Sequence, residues 1–529
     1  MRPQARLART AGLLAAATVA SRALGLVREI VVAALFGASD AKAAYVIGYY
    51  LPFFFQRLLI GGTLSIVLIP TLAEALSRRD DAEFGRVTTY MFTAVVAIGV
   101  GMVLAGELVA PLLVPLAAPG FVANRMQLDL TIFLTRINFL AMFFLALSVF
   151  ATAYLQALKQ FTPPAIAPLV FNVTIIAGTL LLGPQMGIRG LALAWVVGTA
   201  AQFLAQVPAL RAAGFQYRLA MDWSHPAMRT VRHLAVPAML GLAILEINSY
   251  VGRFFASLLP AFPGVNAVAA LDYAYEVVQA PIGILAISVA TVLFPGMSER
   301  AAAGDRVALR QTTSLGVRSV LFLMLPVSAT LVTFAQPVIR LVFERGEFGP
   351  AATVTVAACL AAYAVGLVPM AAYYVVTRAF YALHNMRTPV AIGGVMVALN
   401  AVLAYMLMRT LGVFGIALAS AIVAFVNAGL LLAILHRTLG PLDCARIARL
   451  ALRTGLATAL AVGAAWWVMG LGLWGLGQAS LREAFRLGAA LAAAAVLYVA
   501  ACVVLRVEEV GLLRDLVRRR PMGGARLVP

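Results

Sequence analysis

The chain runs to 529 residues, 63% of them hydrophobic and only 12% charged, with a mean hydropathy of +0.96. A soluble globular domain does not reach that apolar fraction, and apolar runs of about 20 residues, the length a helix needs to cross hydrocarbon, recur from end to end. The formal net charge of +19 is no sign of a nucleic-acid surface, because Lys and Arg concentrate in the even-numbered connections and the termini of a fourteen-span reading. That asymmetry is the positive-inside pattern and puts both termini in the cytoplasm.

Span 1, about Ala11 to Leu35, follows Arg2, Arg6 and Arg9. Internal arginines and the lack of a cleavage site mark it as retained rather than as a signal peptide. It carries Ser21-Arg22-Ala23-Leu24-Gly25-Leu26-Val27-Arg28-Glu29 at bilayer depth. Each buried guanidinium costs about 2.5–3.5 kcal/mol on insertion scales, so such groups face a protein interior, a wet cavity or a charged ligand. Arg22, Gly25 and Glu29 share one helical stripe, and Gly25 leaves room beside the charges. Snorkelling, or pairing with Glu29, is the bland alternative, and it leaves one positive charge unbalanced.

Span 2, about 44–75, contains Pro52, Gln56, Arg57, Gly61, Gly62 and Pro70. Prolines and glycines at this depth release backbone groups, so a bent helix is expected, with Gly25, Pro52, Gly61 and Gly62 as conformational positions. Asp80-Asp81 sits among arginines and reads as a solvated loop rather than a metal site. Spans 3 to 6 fall at about 88–115, 128–156, 165–183 and 189–210. A polar stretch, 212–233, is too short to enclose a core and reads as a cytoplasmic linker between an N-lobe, 1–211, and a C-lobe, 234–436. Spans 7 to 12 occupy about 234–258, 268–297, 314–337, 353–382, 389–408 and 413–435. Residues 437–529 supply spans 13 and 14, about 454–474 and 485–505, and a basic tail whose Arg518-Arg519-Arg520 suits anionic lipid. Cys359, Cys444 and Cys502 are too scattered for a disulfide framework or a metal site.

The two lobes repeat at one offset. Ile66-Val67-Leu68-Ile69-Pro70 answers Thr291-Val292-Leu293-Phe294-Pro295, and Glu74 answers Glu299. In the same register, Pro164 matches Pro389, and Gly187-Ile188-Arg189-Gly190 matches Gly412-Val413-Phe414-Gly415. An even number of spans per repeat gives the lobes the same orientation, as in bundles that carry substrate between lobes and rock around it. The expected fold is therefore an all-α polytopic membrane protein of about fourteen transmembrane helices: two parallel-repeat six-helix lobes plus two extra C-terminal helices.

Charged and polar positions within the spans then point to a central cleft: Arg22, Arg28, Glu29, Gln56 and Arg57 from lobe one, and Glu246, Arg253, Glu276 and Arg378 from lobe two. Arg136 fits helix packing as well as it fits the cleft. Arginine suits bidentate recognition of phosphate or carboxylate, so an anionic substrate is expected. His225, His233, His384 and His436 are dispersed, which argues against an integral-membrane enzyme and against a catalytic site.

These residues also resemble a known family. The Ser21 to Glu29 segment, Phe36-Gly37-Ala38, Leu51-Pro52 with Arg57, Phe343-Glu344-Arg345-Gly346-Glu347-Phe348, and Arg378-Ala379-Phe380-Tyr381-Ala382 with Arg387-Thr388-Pro389 are similar to the MurJ-type lipid II flippases. Those belong to the multidrug, oligosaccharidyl-lipid and polysaccharide exporter superfamily. The resemblance implies alternating access that moves undecaprenyl-pyrophosphate-linked peptidoglycan precursor from the cytoplasmic to the periplasmic leaflet of the bacterial inner membrane, for cell-wall synthesis. It implies a monomer without cofactors, a C-terminal groove for the polyprenyl tail, and functional roles for Arg22 and Arg28. Glu29 stands where an aspartate is usual, and Gln56 and Glu276 replace two family arginines, for which Arg57 and Arg253 offer partial compensation. A salt bridge between Glu276 and Arg253 is one expected consequence. Some relatives bind sodium among helices 7, 11 and 12, where Glu246, Asn400 and Asn427 are the polar candidates. A sodium ion or the membrane potential is thus the expected drive. The alternative reading is an ion-driven exporter of another polyprenyl-linked glycan or of drugs.

Overall fold

A computed structural model of the chain describes residues 3–58, 71, 72, 74, 76, 80–217, 219–226, 228, 229, 247, 248, 250–260, 264–470 and 481–511. Helix follows helix throughout. In chain order they are α1 (Pro3–Phe36), α2 (Asp40–Gln56), α3 (Asp81–Ala117), α4 (Arg125–Ala157), α5 (Thr162–Met186), α6 (Ile188–Leu204), α7 (Val207–Ala212), α8 (Ala267–Pro281), α9 (Ile287–Ala302), α10 (Arg306–Thr333), α11 (Ala335–Phe343), α12 (Pro350–Val365), α13 (Leu367–Ala382), α14 (Arg387–Leu439), α15 (Cys444–Gly470) and α16 (Leu481–Val504). Among the described residues nine helical stretches are long and apolar enough to cross a bilayer, and α12 with α13, bent by 44°, make a tenth. The rest of span 2 and most of span 7, with Gly61, Gly62 and Glu246, lie outside the described residues.

Helix breaks fall where the backbone chemistry demands them. Gly187, between α5 and α6, has φ 60° and ψ −143°. Gly412, inside α14, has φ 59° and ψ −139°. Both conformations are open to glycine and strained for other residues, so each glycine divides one apolar run into two helices. Between α8 and α9 the ladder loosens into a π turn over Ile282–Ala286, directly after Pro281, which has no N–H to give. Gln56 is likewise followed by π-type residues, Arg57 and Leu58.

Packing divides the chain into two units: Met1–Asp272 with Arg345–Ala352, and Tyr273–Glu344 with Thr353–Pro529. In the first, α1 packs on α5, and α4 packs against α2, α3 and α6. Its core includes Phe92, Leu134, Met142, Phe150 and Tyr154. The polar stretch after α7 has no core of its own. Instead Phe215 sits 5.3 Å from Phe92 and 5.4 Å from Tyr154, ring to ring, and His225 Nε2 lies 3.0 Å from Glu83. In the second unit α10 packs against α13 and α15, and α15 against α16. There Tyr498 donates its hydroxyl hydrogen to Phe322 O at 2.7 Å.

The repeat read from the sequence is written into local geometry. Asp80 caps α3 by accepting from Glu83 N at 3.0 Å, and Asp305 caps α10 by accepting from Ala308 N at 2.9 Å. Lys159 and His384, both with positive φ, close α4 and α13 in the same way. A Cβ on Gly190 or Gly415 would run into the carbonyl of Leu182 or Leu407. Each of these pairs stands at the offset that relates Pro70 to Pro295.

Candidate functional site

The charges of span 1 are gathered inside the first unit. Arg28 donates to Glu29 Oε1 from Nε (3.2 Å) and Nη2 (2.9 Å). Its Nη1 lies 3.3 Å from Asn172 Oδ1 on α5, and its guanidinium carbon is 4.9 Å from the Trp195 ring centre on α6. Asn172 is itself fixed, donating to Pro168 O at 2.9 Å and to Ser21 O and Oγ at 3.4 Å. A helix-borne guanidinium so held has lost most of its rotamer freedom before any ligand arrives.

Glu29 is buried and its second oxygen is also engaged. Lys42 Nζ, in the first turn of α2, lies 3.4 Å from Glu29 Oε2 and 3.4 Å from Asp272 Oδ2. Asp272 Oδ1 in turn lies 3.3 Å from Arg253 Nη2. The Arg253 guanidinium stacks on the Tyr50 ring, 3.4 Å from its centre. Five side chains thus alternate in charge, Arg28, Glu29, Lys42, Asp272, Arg253. Lys42, Arg253 and Asp272 are at most 7% exposed. Among these five side chains three cations alternate with two carboxylates. A cation at low exposure interacts with a nearby anion more strongly than one at a surface does. Arg28 and Arg253 stand at the repeat offset, and each holds one carboxylate and one aromatic ring.

The turn above the ladder is braced. Asn266 donates from Nδ2 to Asp40 Oδ1 at 2.8 Å and from N to Ala38 O at 2.7 Å. Glu347 N donates to Ala34 O at 2.9 Å. Gly37 has φ 58° and faces the Glu347 carbonyl so closely that a Cβ there would lie 2.5 Å from it. The Arg345-Gly346-Glu347-Phe348 segment noted in the sequence is thus a clamp on the end of α1.

The other expected positions are placed as follows. Arg22 is exposed on α1 and lines a cavity of about 420 Å³ with Ser21, Thr152, Gln156, Pro164 and Pro168. Beside Gly25 the space is open. Pro52 and Gln56 are buried in α2, and exposed Arg57 lies 4.7 Å over the Phe53 ring. Arg253 takes Asp272 as an acidic partner, a residue the sequence reading had not weighed beside Glu276. Glu276 is half-buried on α8, and Arg378 on α13 lies 5.1 Å over Phe294. Arg136 is half-buried and joined to Glu107, Nε to Oε2 at 3.3 Å, which fits a packing role. Asn400 is 2% exposed, and the side-chain oxygen of Asn427 is buried without a hydrogen-bond partner. Asp272, Asn172 and Trp195 carry no signal beyond being polar or aromatic in apolar runs, and Lys42 stands in the connection before span 2.

The fold matches solved transporters. A structure titled "Lipid II flippase MurJ, inward closed conformation" aligns with TM-score 0.77 at 21% identity over 96% of this chain and all of that one. A multidrug resistance MATE family transporter of the MOP superfamily aligns with TM-score 0.65 at 15% identity, over 80% of this chain and 95% of that one. Fold and apolar helices together define the class, a polytopic α-helical membrane protein. The family model described as lipid II flippase MurJ matches residues 32–485. A probable lipid II flippase MurJ of Rhizobium meliloti is 31% identical over 430 residues, covering 79% of this chain and 78% of that protein. The lipid II flippase MurJ of Burkholderia cenocepacia is 28% identical over 420 residues, 78% of this chain and 81% of that one. The chain belongs to the MurJ lipid II flippase family.

Proposed function

We propose that this protein moves lipid II, an undecaprenyl-pyrophosphate-linked peptidoglycan precursor, from the cytoplasmic to the periplasmic leaflet of the bacterial inner membrane, with both termini in the cytoplasm. The observation that carries the reading is the buried ladder of arginine, lysine and carboxylate groups in a family member, with Arg28 held by Glu29, Asn172 and Trp195. A pyrophosphate offers several anionic oxygens, and an arginine fork binds such oxygens in pairs. Transport of this kind breaks no covalent bond, so the protein acts as a transporter rather than a catalyst and needs no cofactor. Asn400 and Asn427 are the described residues proposed for coupling to a sodium ion; the Asn427 side-chain oxygen, buried without a donor, suits a hard cation.

Expression in cells depleted of their own flippase tests the reading. The wild-type chain restores growth and moves labelled lipid II to the outer leaflet. Restored drug efflux without movement of lipid II would instead favour the exporter alternative, for which Gln56 and Glu276 are the motivating residues.

A further inference from the structure

Lys42 occupies an unusual place in the ladder. Its ammonium lies between two carboxylates, at 3.4 Å from each, and each carboxylate has its remaining oxygen on an arginine of its own. Those arginines, Arg28 and Arg253, are repeat equivalents, so Lys42 is a single cation shared by two like pairs. Lys42 itself has no basic equivalent in the second repeat, where the same offset gives Ala267. Around it stand Arg28 and Glu29 from α1, Tyr45 from its own helix with the ring 5.8 Å away, Asp272 from α8, and Arg253.

An anion that draws Arg28 away would leave Glu29 buried without a cation if no second one were present. A buried carboxylate stripped of its partner is strongly disfavoured, and that cost would be subtracted from substrate binding. Resting on the flippase reading above, we propose that Lys42 is the exchange cation of the site: it holds Glu29 while a pyrophosphate group takes Arg28, and holds Asp272 while such a group takes Arg253. An ammonium suits this task better than a guanidinium. It is a compact charge on a flexible stem with three donors, and it shifts between carboxylates without needing a planar, two-point fit. Lys42 is a positioning residue, acting on the anion through the arginines.

Charge balance supplies the test. The protein is reconstituted in nanodiscs, and binding of undecaprenyl pyrophosphate is measured for wild type, Lys42→Met, Glu29→Gln and the Lys42→Met/Glu29→Gln double variant, with thermal unfolding followed in parallel. Lys42→Met takes the second cation from Glu29, so that drawing Arg28 away strips a buried carboxylate, and binding weakens at least tenfold. The double variant removes the competing carboxylate as well and returns affinity to within about threefold of wild type. Glu29→Gln alone, which is nearly isosteric, binds the probe more tightly than wild type. Wild-type affinity in Lys42→Met, or no recovery in a double variant that unfolds at the wild-type temperature, overturns the exchange. If Lys42→Met fails to fold, weaker binding by Glu29→Gln overturns it on its own. No binding by the wild-type protein overturns the flippase reading, and the exchange with it, so the two failures are told apart by which protein fails.

Discussion

The two units use the same backbone devices and fill them with different chemistry. Asp80 and Asp305 cap corresponding helices, Gly187 and Gly412 break corresponding runs, and Gly190 and Gly415 admit the same close carbonyl. Yet the first unit spends its interior on the Arg28 to Arg253 ladder. The second sets its buried ion pair, Arg318 with Glu509, where α10 meets the segment after α16, beside the Arg446–Glu508 pair at 2.5 Å. The repeat therefore keeps what the backbone needs at its turns, and of the ladder it keeps the Arg28 and Arg253 positions. The charges of the first unit join α1, α2 and α8 to residue 253, and Arg318 of the second joins α10 to the segment after α16.

Four measurements break or sharpen that contrast. The largest effect is expected from Arg28→Ala, which abolishes growth support in flippase-depleted cells although the protein is made at normal levels; full growth would remove the ligand role of the first unit. Arg318→Met leaves Glu509 buried without its cation and destabilises by about 3–5 kcal/mol, seen as an earlier thermal unfolding transition, while undecaprenyl pyrophosphate binding per folded molecule stays at the wild-type level. A parallel fall in binding would mean that the second unit's pair is not merely structural. Gly187→Ala and Gly412→Ala each cost about 1–3 kcal/mol. Because nothing lies within 4 Å of a Cβ at either site, backbone strain alone acts and the two costs agree; a large difference would show that the repeat is equivalent only in outline. Smallest are Asp80→Ala and Asp305→Ala, each about 1 kcal/mol for a lost N-cap, again matched, and read from the same unfolding transitions.

Much of this was legible in the residues. Apolar run lengths placed most spans within a few residues of the observed helices, as at α4, expected at 128–156 and found at Arg125–Ala157. Burial of a 20-residue apolar run depends on composition alone. Arg28 and Glu29 were found for a related reason: a charge inside such a run is expensive wherever it points, so it announces itself. Lys42 did not, because it lies at the start of α2 beside Asp40, where a lysine reads as an ordinary loop residue. Asp272 was passed over beside Glu276, four residues on, which reads equally well from sequence. Arg22 and Arg28 were read as a pair. Their surroundings separate them, one lining a cavity and the other fixed by three side chains.

By itself the sequence determined the class of fold, the repeat, the positions where helices break and the presence of charged groups in span 1, since each follows from local composition, spacing or backbone chemistry. Only the tertiary structure decided which acid meets which base. Ion pairing between α1, α2, α8 and residue 253 depends on the depth and rotation of each helix, set by packing such as that of α1 on α5 and of the Arg345 to Phe348 clamp on the α1 end. Those are properties of many contacts made at once, and no single stretch of chain contains them.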